Sequence, residues 1–216
     1  MRRIKEDFLE KLEYEISLKD QVVLEIGCGE GTRTIAIAER CKSLTAIDPD
    51  AKCIKLAQTQ NARPNVIYQR GIAQDLLFDK REFDIVIFTL SLHHVPVEEM
   101  KAAIDEAIRV VRRDGYIIFL EPSFDGTLFE SEIFFDAFDG DERKQKAAAY
   151  LTMLDHPGLK EIAEFTDETV WVLDSVQDFV ESMSPKRNLI MLKPFLEDNK
   201  YILRATRRVN IFQLKS

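Results

Sequence analysis

The chain has 216 residues, 45% apolar and 31% charged, a composition suited to one globular domain with material left for a lid. Thirty basic against 38 acidic residues give a net charge of −8, which disfavours nonspecific attachment to nucleic acid or an anionic membrane. No apolar run approaches the ~20 residues that span a bilayer, and Met1-Arg2-Arg3-Ile4-Lys5-Glu6 meets an acid before any apolar stretch, unlike a signal peptide.

Cys28, Cys41 and Cys53 are three cysteines without a CxxC pair, which argues against a disulfide framework or a zinc knuckle. Reduced thiols and a cytoplasmic location are the expectation. The charge is uneven: Glu130 to Glu181 holds fourteen acids against four bases, and Lys186 to Ser216 eight bases against two acids. Solvated surface accounts for most of this, while the basic tail keeps an RNA substrate open.

In chain order, Phe8, Leu9, Leu12 and Ile16 recur at helical spacing and predict an entry helix over residues 3–17. Gln21 to Ile26 is a short β-rich run ending in glycines, as a buried parallel strand does. A helix over about 32–41 leads to a second strand, Ser43 to Asp48. Pro49 suits the first turn of the next helix. Asn65 to Gln69 and Asp84 to Thr89 are strands three and four. Met100, Ala103, Ile104, Ala107, Ile108 and Val111 form an apolar stripe in a helix over 97–113, stopped by Asp114-Gly115. Tyr116 to Leu120 is strand five.

Strands alternating with helices demand a parallel α/β sheet with right-handed crossovers. After Glu121-Pro122 the rhythm changes. Five of the fourteen phenylalanines fall between Phe124 and Phe138, and two helices are expected over 128–138 and 141–154. Thr169 to Leu173 reads as strand six, followed by helix, and Tyr201 to Leu214 as strand seven.

The first strand ends in Glu25-Ile26-Gly27-Cys28-Gly29-Glu30-Gly31. Glycines there allow close backbone approach to a ligand and leave helix N–H groups free. Their spacing is GxGxG, not the GxGxxG of a dinucleotide site, and Glu25 stands two residues before the first glycine. A carboxylate there would repel a pyrophosphate but suits a ligand carrying ammonium and sulfonium charge. Asp48, at the tip of strand two, can accept both hydroxyls of a ribose. Taken singly, these features have bland readings: a tight turn for the glycines, a helix cap for Asp48.

Residues 21–121 resemble the cofactor-binding core of the class I S-adenosylmethionine-dependent methyltransferases, in particular the small-molecule, type 11-like branch. The resembling segments are Val23 to Thr32, Ala46 to Pro49, Gly71 to Leu76, Phe83 to Val86, Leu90 to Val95 and the helix end Arg109 to Gly115. The resemblance implies a doubly wound, Rossmann-like, seven-stranded, mostly parallel sheet with an antiparallel last strand and a helical lid after strand five. Residues 1–216 are then one domain: an entry helix (1–20), cofactor core (21–121), helical lid and acceptor region (122–165) and the last strands (166–216). The implied cofactor is S-adenosylmethionine, with S-adenosylhomocysteine as product. Gly27, Cys28 and Gly29 line it beside Glu25, Asp48 holds the ribose and Pro49 lies against the adenine. Ala73 and Gln74 border the adenine edge, and Thr89 and Leu90 touch the methionine end. Ile72 departs from the family, which often has an acid there for the adenine amino group. Either Gln74 or Asp75 substitutes, or the bond is absent at a cost on the order of 1 kcal/mol.

Methyl transfer from a sulfonium is an in-line displacement, so the protein aligns the nucleophile and excludes water. His93, His94 and Glu121 lie at the carboxyl edge of the sheet, where open α/β folds place substrates, and are the catalytic candidates. Tyr14 and Tyr150 are further guesses. Adjacent histidines point in different directions, so no metal site is expected. The phenylalanine-rich segment suggests an apolar lid over a small-molecule acceptor, testable at Phe134 and Phe135. No membrane partner is expected. The alternatives are an RNA or protein methyltransferase, supported by Arg204, Arg207 and Arg208, or a noncatalytic cofactor-binding protein. Against the former, Thr89-Leu90-Ser91-Leu92 stands where many nitrogen methylators carry an NPPY-type segment.

Overall fold

A computed structural model describes residues 1–215. Five strands stand where the sequence predicts them, β2 (Val22–Ile26), β3 (Ser43–Asp48), β4 (Val66–Arg70), β5 (Phe83–Thr89) and β6 (Val111–Pro122), with helices between them except from β4 to β5, which a loop joins. They are mutually parallel. Two long strands, β7 (Leu159–Val172) and β8 (Ile202–Leu214), complete the predicted seven, with β8 antiparallel to both β6 and β7.

An eighth strand was not predicted. Arg2–Lys5 forms β1, pairing antiparallel with the far end of β7 and giving the order β1-β7-β8-β6-β5-β2-β3-β4. The entry helix expected over 3–17 is therefore only α1 (Phe8–Glu15). The apolar period of Phe8, Leu9 and Leu12 is real, and all three are buried. Residues 2–5 lack that period and take the hydrogen bonds that the edge of β7 offers, a tertiary effect outweighing local propensity.

Two further boundaries moved. The helix expected to end at Arg113 is α4 (Met100–Val110), because Val111 already pairs with Phe83. Gly115 then passes so close to β5 that a Cβ there would lie 2.3 Å from the Asp84 carbonyl oxygen. Strand six extends back to Leu159, so the helices between β6 and β7, α5 (Thr127–Phe135) and α6 (Arg143–Leu154), end before residue 165.

Alternate residues of the central strands face opposite layers. Leu24, Ile26, Val86, Phe88, Ile117 and Phe119 meet the α4 stripe and Met153 of α6. Val23, Ile85, Ile87, Ile118 and Leu120 meet Phe8, Leu12 and Ile37 from α1 and α2 (Thr32–Ala38). A satellite core joins Phe135 to Phe179, Leu192 and Leu196, from α7 (Val176–Met183) and α8 (Leu192–Asp198). Phe135 is thus a packing residue.

Arg207 of β8 ties the amino-terminal segment to the sheet. It is buried and pairs with Asp167 of β7 and Glu6, while Arg33 Nε donates to Glu6 at 2.8 Å. Removing one partner of such a buried group strands the others without compensation, at a cost of about 3–5 kcal/mol. Arg207→Ala should lower the unfolding free energy in urea by that amount. A loss under about 1 kcal/mol would show that the segment is held otherwise.

Candidate functional site

Strand order reverses between β2 and β5, and at such a switch point the loops leaving the carboxyl ends diverge to open a crevice. Here that crevice is a cleft of about 1060 Å³. Gly27, Cys28 and Gly29 follow β2, with Gly27 and Gly29 at φ +82° and +52°. A Cβ on Gly27 would lie 2.2 Å from Ser91 Cβ, whereas one on Gly29 would meet nothing within 4 Å. The first glycine is demanded by the neighbouring loop. The second presents bare backbone to open space, a cradle that a side chain would fill.

Asp48 braces this loop. Its Oδ2 accepts from the Gly29 N–H at 2.9 Å and its Oδ1 from the Asp50 N–H at 2.9 Å. Asp50, not Asp48, caps α3 (Ala51–Gln60) through the Lys52 N–H. Across the cleft, Leu90 turns with φ +54°, uncommon for a leucine, and its N–H donates to the Leu120 carbonyl at 2.8 Å. Ser91 Oγ donates to the Ile26 carbonyl at 2.7 Å and Thr89 Oγ1 to the Gly27 carbonyl at 3.0 Å.

Among the expected cofactor residues, Gly27, Cys28, Gly29, Asp48, Pro49, Ala73, Gln74, Thr89 and Leu90 all line the cleft. Glu25 does not. It is fully buried beneath the loop, its Oε1 3.0 Å from the Thr89 hydroxyl, whose single proton it shares with the Gly27 carbonyl, and its Oε2 left without a partner. Burial pushes its carboxyl above the usual range. Burial, with the charges of Glu25 and Asp48, likewise pushes the Cys28 thiol up and leaves it a poor nucleophile. Gln74 Nε2 donates to Glu99, while Asp75 lies outside the lining and bridges back to Ile72.

The catalytic candidates separate into two roles. His93 and His94, in a 3₁₀ turn at Leu92–His94, line the cleft. Glu121 lies behind them, accepting from the Ser91 and Leu92 N–H groups at 3.1 and 2.9 Å and bonding His93 Nδ1. It holds the turn and does not face the cleft. Tyr14 is 89% exposed, and Tyr150 is engaged by Glu164 and Arg208 outside the lining.

The expectation that adjacent histidines diverge fails here. The tight turn keeps the rings 4.1 Å apart, and both approach Glu142, His93 Nε2 at 3.7 Å and His94 Nδ1 at 3.4 Å. The bond to Glu142 raises the His94 imidazole above its usual value.

Glu142, Glu132, Asp139 and Lys146 also line this end, with Phe129 and Phe138, and none of the four charged residues was singled out from sequence. Lys146 is buried, 3.6 Å from Glu132, 3.7 Å from Glu142 and 4.6 Å above the Phe129 ring. Burial raises Glu132 to about 7, Lys146 opposing, and burial with the Glu142 charge raises Asp139. The one sequence signal was the density of acids after Glu130. The phenylalanine segment contributes Phe129 and Phe138 to the cleft, while Phe134 and Phe135 lie outside its lining.

The basic tail is largely consumed within the fold. Arg207 is buried, Arg204 pairs with Glu168 at 3.0 Å and Arg208 lies 3.6 Å over the Tyr150 ring. Among the described residues no helix is long and apolar enough to cross a membrane.

Residues 23–115 match a family model described as a methyltransferase domain. An uncharacterized methyltransferase of Staphylococcus carnosus is 32% identical over 126 residues, 58% of this chain and 56% of that protein. Phthiotriol/phenolphthiotriol dimycocerosates methyltransferase 1 of Mycobacterium ulcerans is 31% identical over 126 residues, 55% and 44% of the respective chains. The chain spans about half the length of the curated relatives it matches. Among solved structures, a protein of Bacillus halodurans described as a candidate methyltransferase superposes with a TM-score of 0.68 at 20% identity, covering 94% of this chain and 97% of that one. An S-adenosylmethionine-dependent methyltransferase of Methanosarcina mazei does so at 0.61 and 17%, covering 94% and 96%. At those identities the likeness is one of fold.

The buried Glu25 carboxyl makes a pH signature. A carboxyl raised by folding contributes stability that is complete below its unfolded pKa and is lost as pH rises through the folded one. Glu25→Gln keeps an acceptor for Thr89 and removes the titration. Its melting temperature relative to the wild type should therefore climb from pH 4 to pH 9. A difference that stays flat would mean that Glu25 is not buried as described.

Proposed function

We propose that this chain, whose residues 23–115 belong to the methyltransferase-domain family, transfers a methyl group from S-adenosylmethionine to a small-molecule acceptor. The observation that carries this reading is the pairing of Gly29 with Asp48 at the switch point: bare backbone facing open space, braced by a carboxylate that keeps lone pairs for a sugar. The sulfonium supplies an activated methyl group, so the protein's task is alignment and exclusion of water.

Asp48 accepts the ribose hydroxyls, and Pro49, Ile72 and Ala73 enclose the adenine. Gln74, its amide N–H₂ held by Glu99, offers Oε1 to the adenine amino group in place of the missing acid. Glu25 and the Gly27 carbonyl, on the wall that meets the methionine end, share the one hydroxyl proton of Thr89. His93, His94, Glu132, Glu142 and Lys146 then form the polar wall of the acceptor end, with Phe129 and Phe138 excluding water. Glu121 is a positioning residue that orients His93. A relative named a phthiotriol/phenolphthiotriol dimycocerosates methyltransferase agrees with an acceptor of small-molecule type. The RNA reading draws no support from Arg204, Arg207 and Arg208, all engaged within the fold.

Isothermal titration should show one S-adenosylhomocysteine bound per chain. Asp48→Ala should weaken it by roughly tenfold to a hundredfold, the loss of a charge-assisted bond worth about 1.5–3 kcal/mol. Absence of binding at millimolar ligand would refute the assignment.

A further inference from the structure

The acceptor end contains a cluster that methyl transfer as described does not require. Glu121 accepts from His93 Nδ1, so the proton of a neutral His93 resides on that nitrogen and Nε2 carries a lone pair. That lone pair faces Glu142 Oε2, itself buried and without a hydrogen-bond donor, across 3.7 Å. His94 Nδ1 approaches the other oxygen of the same carboxylate at 3.4 Å. Three electron-pair donors thus converge, all ligand atoms within 4.8 Å of one another. Four carboxylates (Glu121, Glu132, Asp139 and Glu142) surround this point with one ammonium, Lys146.

We propose that His93 Nε2, His94 Nδ1 and Glu142 bind a divalent transition ion of the zinc class, with its remaining coordination position open to the acceptor end of the cleft.

The spacing suits such an ion. Bonds of ~2.0–2.2 Å at tetrahedral angles place neighbouring ligand atoms roughly 3.3–3.6 Å apart; here each histidine nitrogen faces one Glu142 oxygen at 3.4 or 3.7 Å and all three ligand atoms lie within 4.8 Å, so side-chain closure on the ion completes the site. Two imidazoles and a carboxylate with a fourth position free are the donor set of a catalytic zinc site, and a carboxylate behind a ligating histidine is its usual outer support, the place Glu121 occupies. Lys146 does not close the site. It stands between Glu142 and Glu132, and Glu132 retains it when Glu142 turns to the ion. All three ligands line the cleft, so the open position would take an oxygen or thiol donor of the acceptor. That last clause rests on the methyltransferase reading; the ion site does not.

The test is zinc binding by the full chain after chelator treatment, measured by competition with a chromogenic chelator, with S-adenosylhomocysteine titrated separately. The expected result is one zinc per chain, weakened at least tenfold by His94→Ala and by Glu142→Gln. Glu121→Gln should weaken it by about 10–100-fold, as loss of outer-shell support does. His94 is half exposed, so His94→Ala should fold, and circular dichroism checks each variant. Wild-type protein that binds no zinc at micromolar concentrations, or folded variants that bind it as well as the wild type, would overturn the proposal and leave an imidazole–carboxylate network. Zinc binding without S-adenosylhomocysteine binding would instead sink the methyltransferase reading alone.

Discussion

The site depends on one close approach. The loops leaving β2 and β5 meet where the sheet reverses its order, and Gly27 passes Ser91 with no room for a Cβ. Because that contact holds the two walls together, the next glycine along, Gly29, faces open space. Asp48 reaches across from β3 and holds the Gly29 N–H, so three adjacent strands share in shaping one rim. The buried layers of Leu24, Phe88 and Phe119 below, and Val23, Ile87 and Ile118 above, keep those strand ends in register. Packing sets the positions; the loops use them.

Apart from the solitary buried Glu25, the clustered charge falls into two groups, each built around buried members. Arg207, Glu6, Asp167 and Arg33 tie the amino-terminal segment to the sheet, and every charge there has an opposite partner. The cluster around His93, His94 and Glu142 is not balanced in this way, since acids outnumber the single lysine. An ion pair closed within the fold is costly to break and so fixes shape, whereas an open donor set with unmet lone pairs calls for something else to occupy it.

Much of the core was legible in the chain. The cores of β2 to β6 read as short apolar runs, and the glycines, Glu25 and Asp48 together, with the family resemblance, led to the expectation of a nucleoside cradle. What could not be read depended on distant partners. Arg2 to Lys5 has no period of its own and became a strand because the edge of β7 was there to pair with. β7 carries four acids, Glu161, Glu164, Asp167 and Glu168, yet it is ordered by its ladder to β8. Glu25 stood in the right motif, but only the fold shows that its side chain lies below the loop. Glu142 and Lys146, fifty residues beyond the histidines, join them through the packing of α6 near the Leu92–His94 turn. Adjacent histidines suggested divergence because that inference assumes extended backbone, and a 3₁₀ turn removes it.

The central claim is a statement of position: a sulfonium nucleoside lies across the switch point with its sugar on Asp48 and its sulfur directed toward His93. A crystal structure of the chain with S-adenosylhomocysteine tests this most directly. The account predicts density for the ribose within hydrogen-bonding distance of Asp48, adenine beside Ile72 and Ala73, and the thioether sulfur opening toward Phe129 and the histidine pair. Density at another surface, or a reversed ligand with adenine against Glu142, would contradict it.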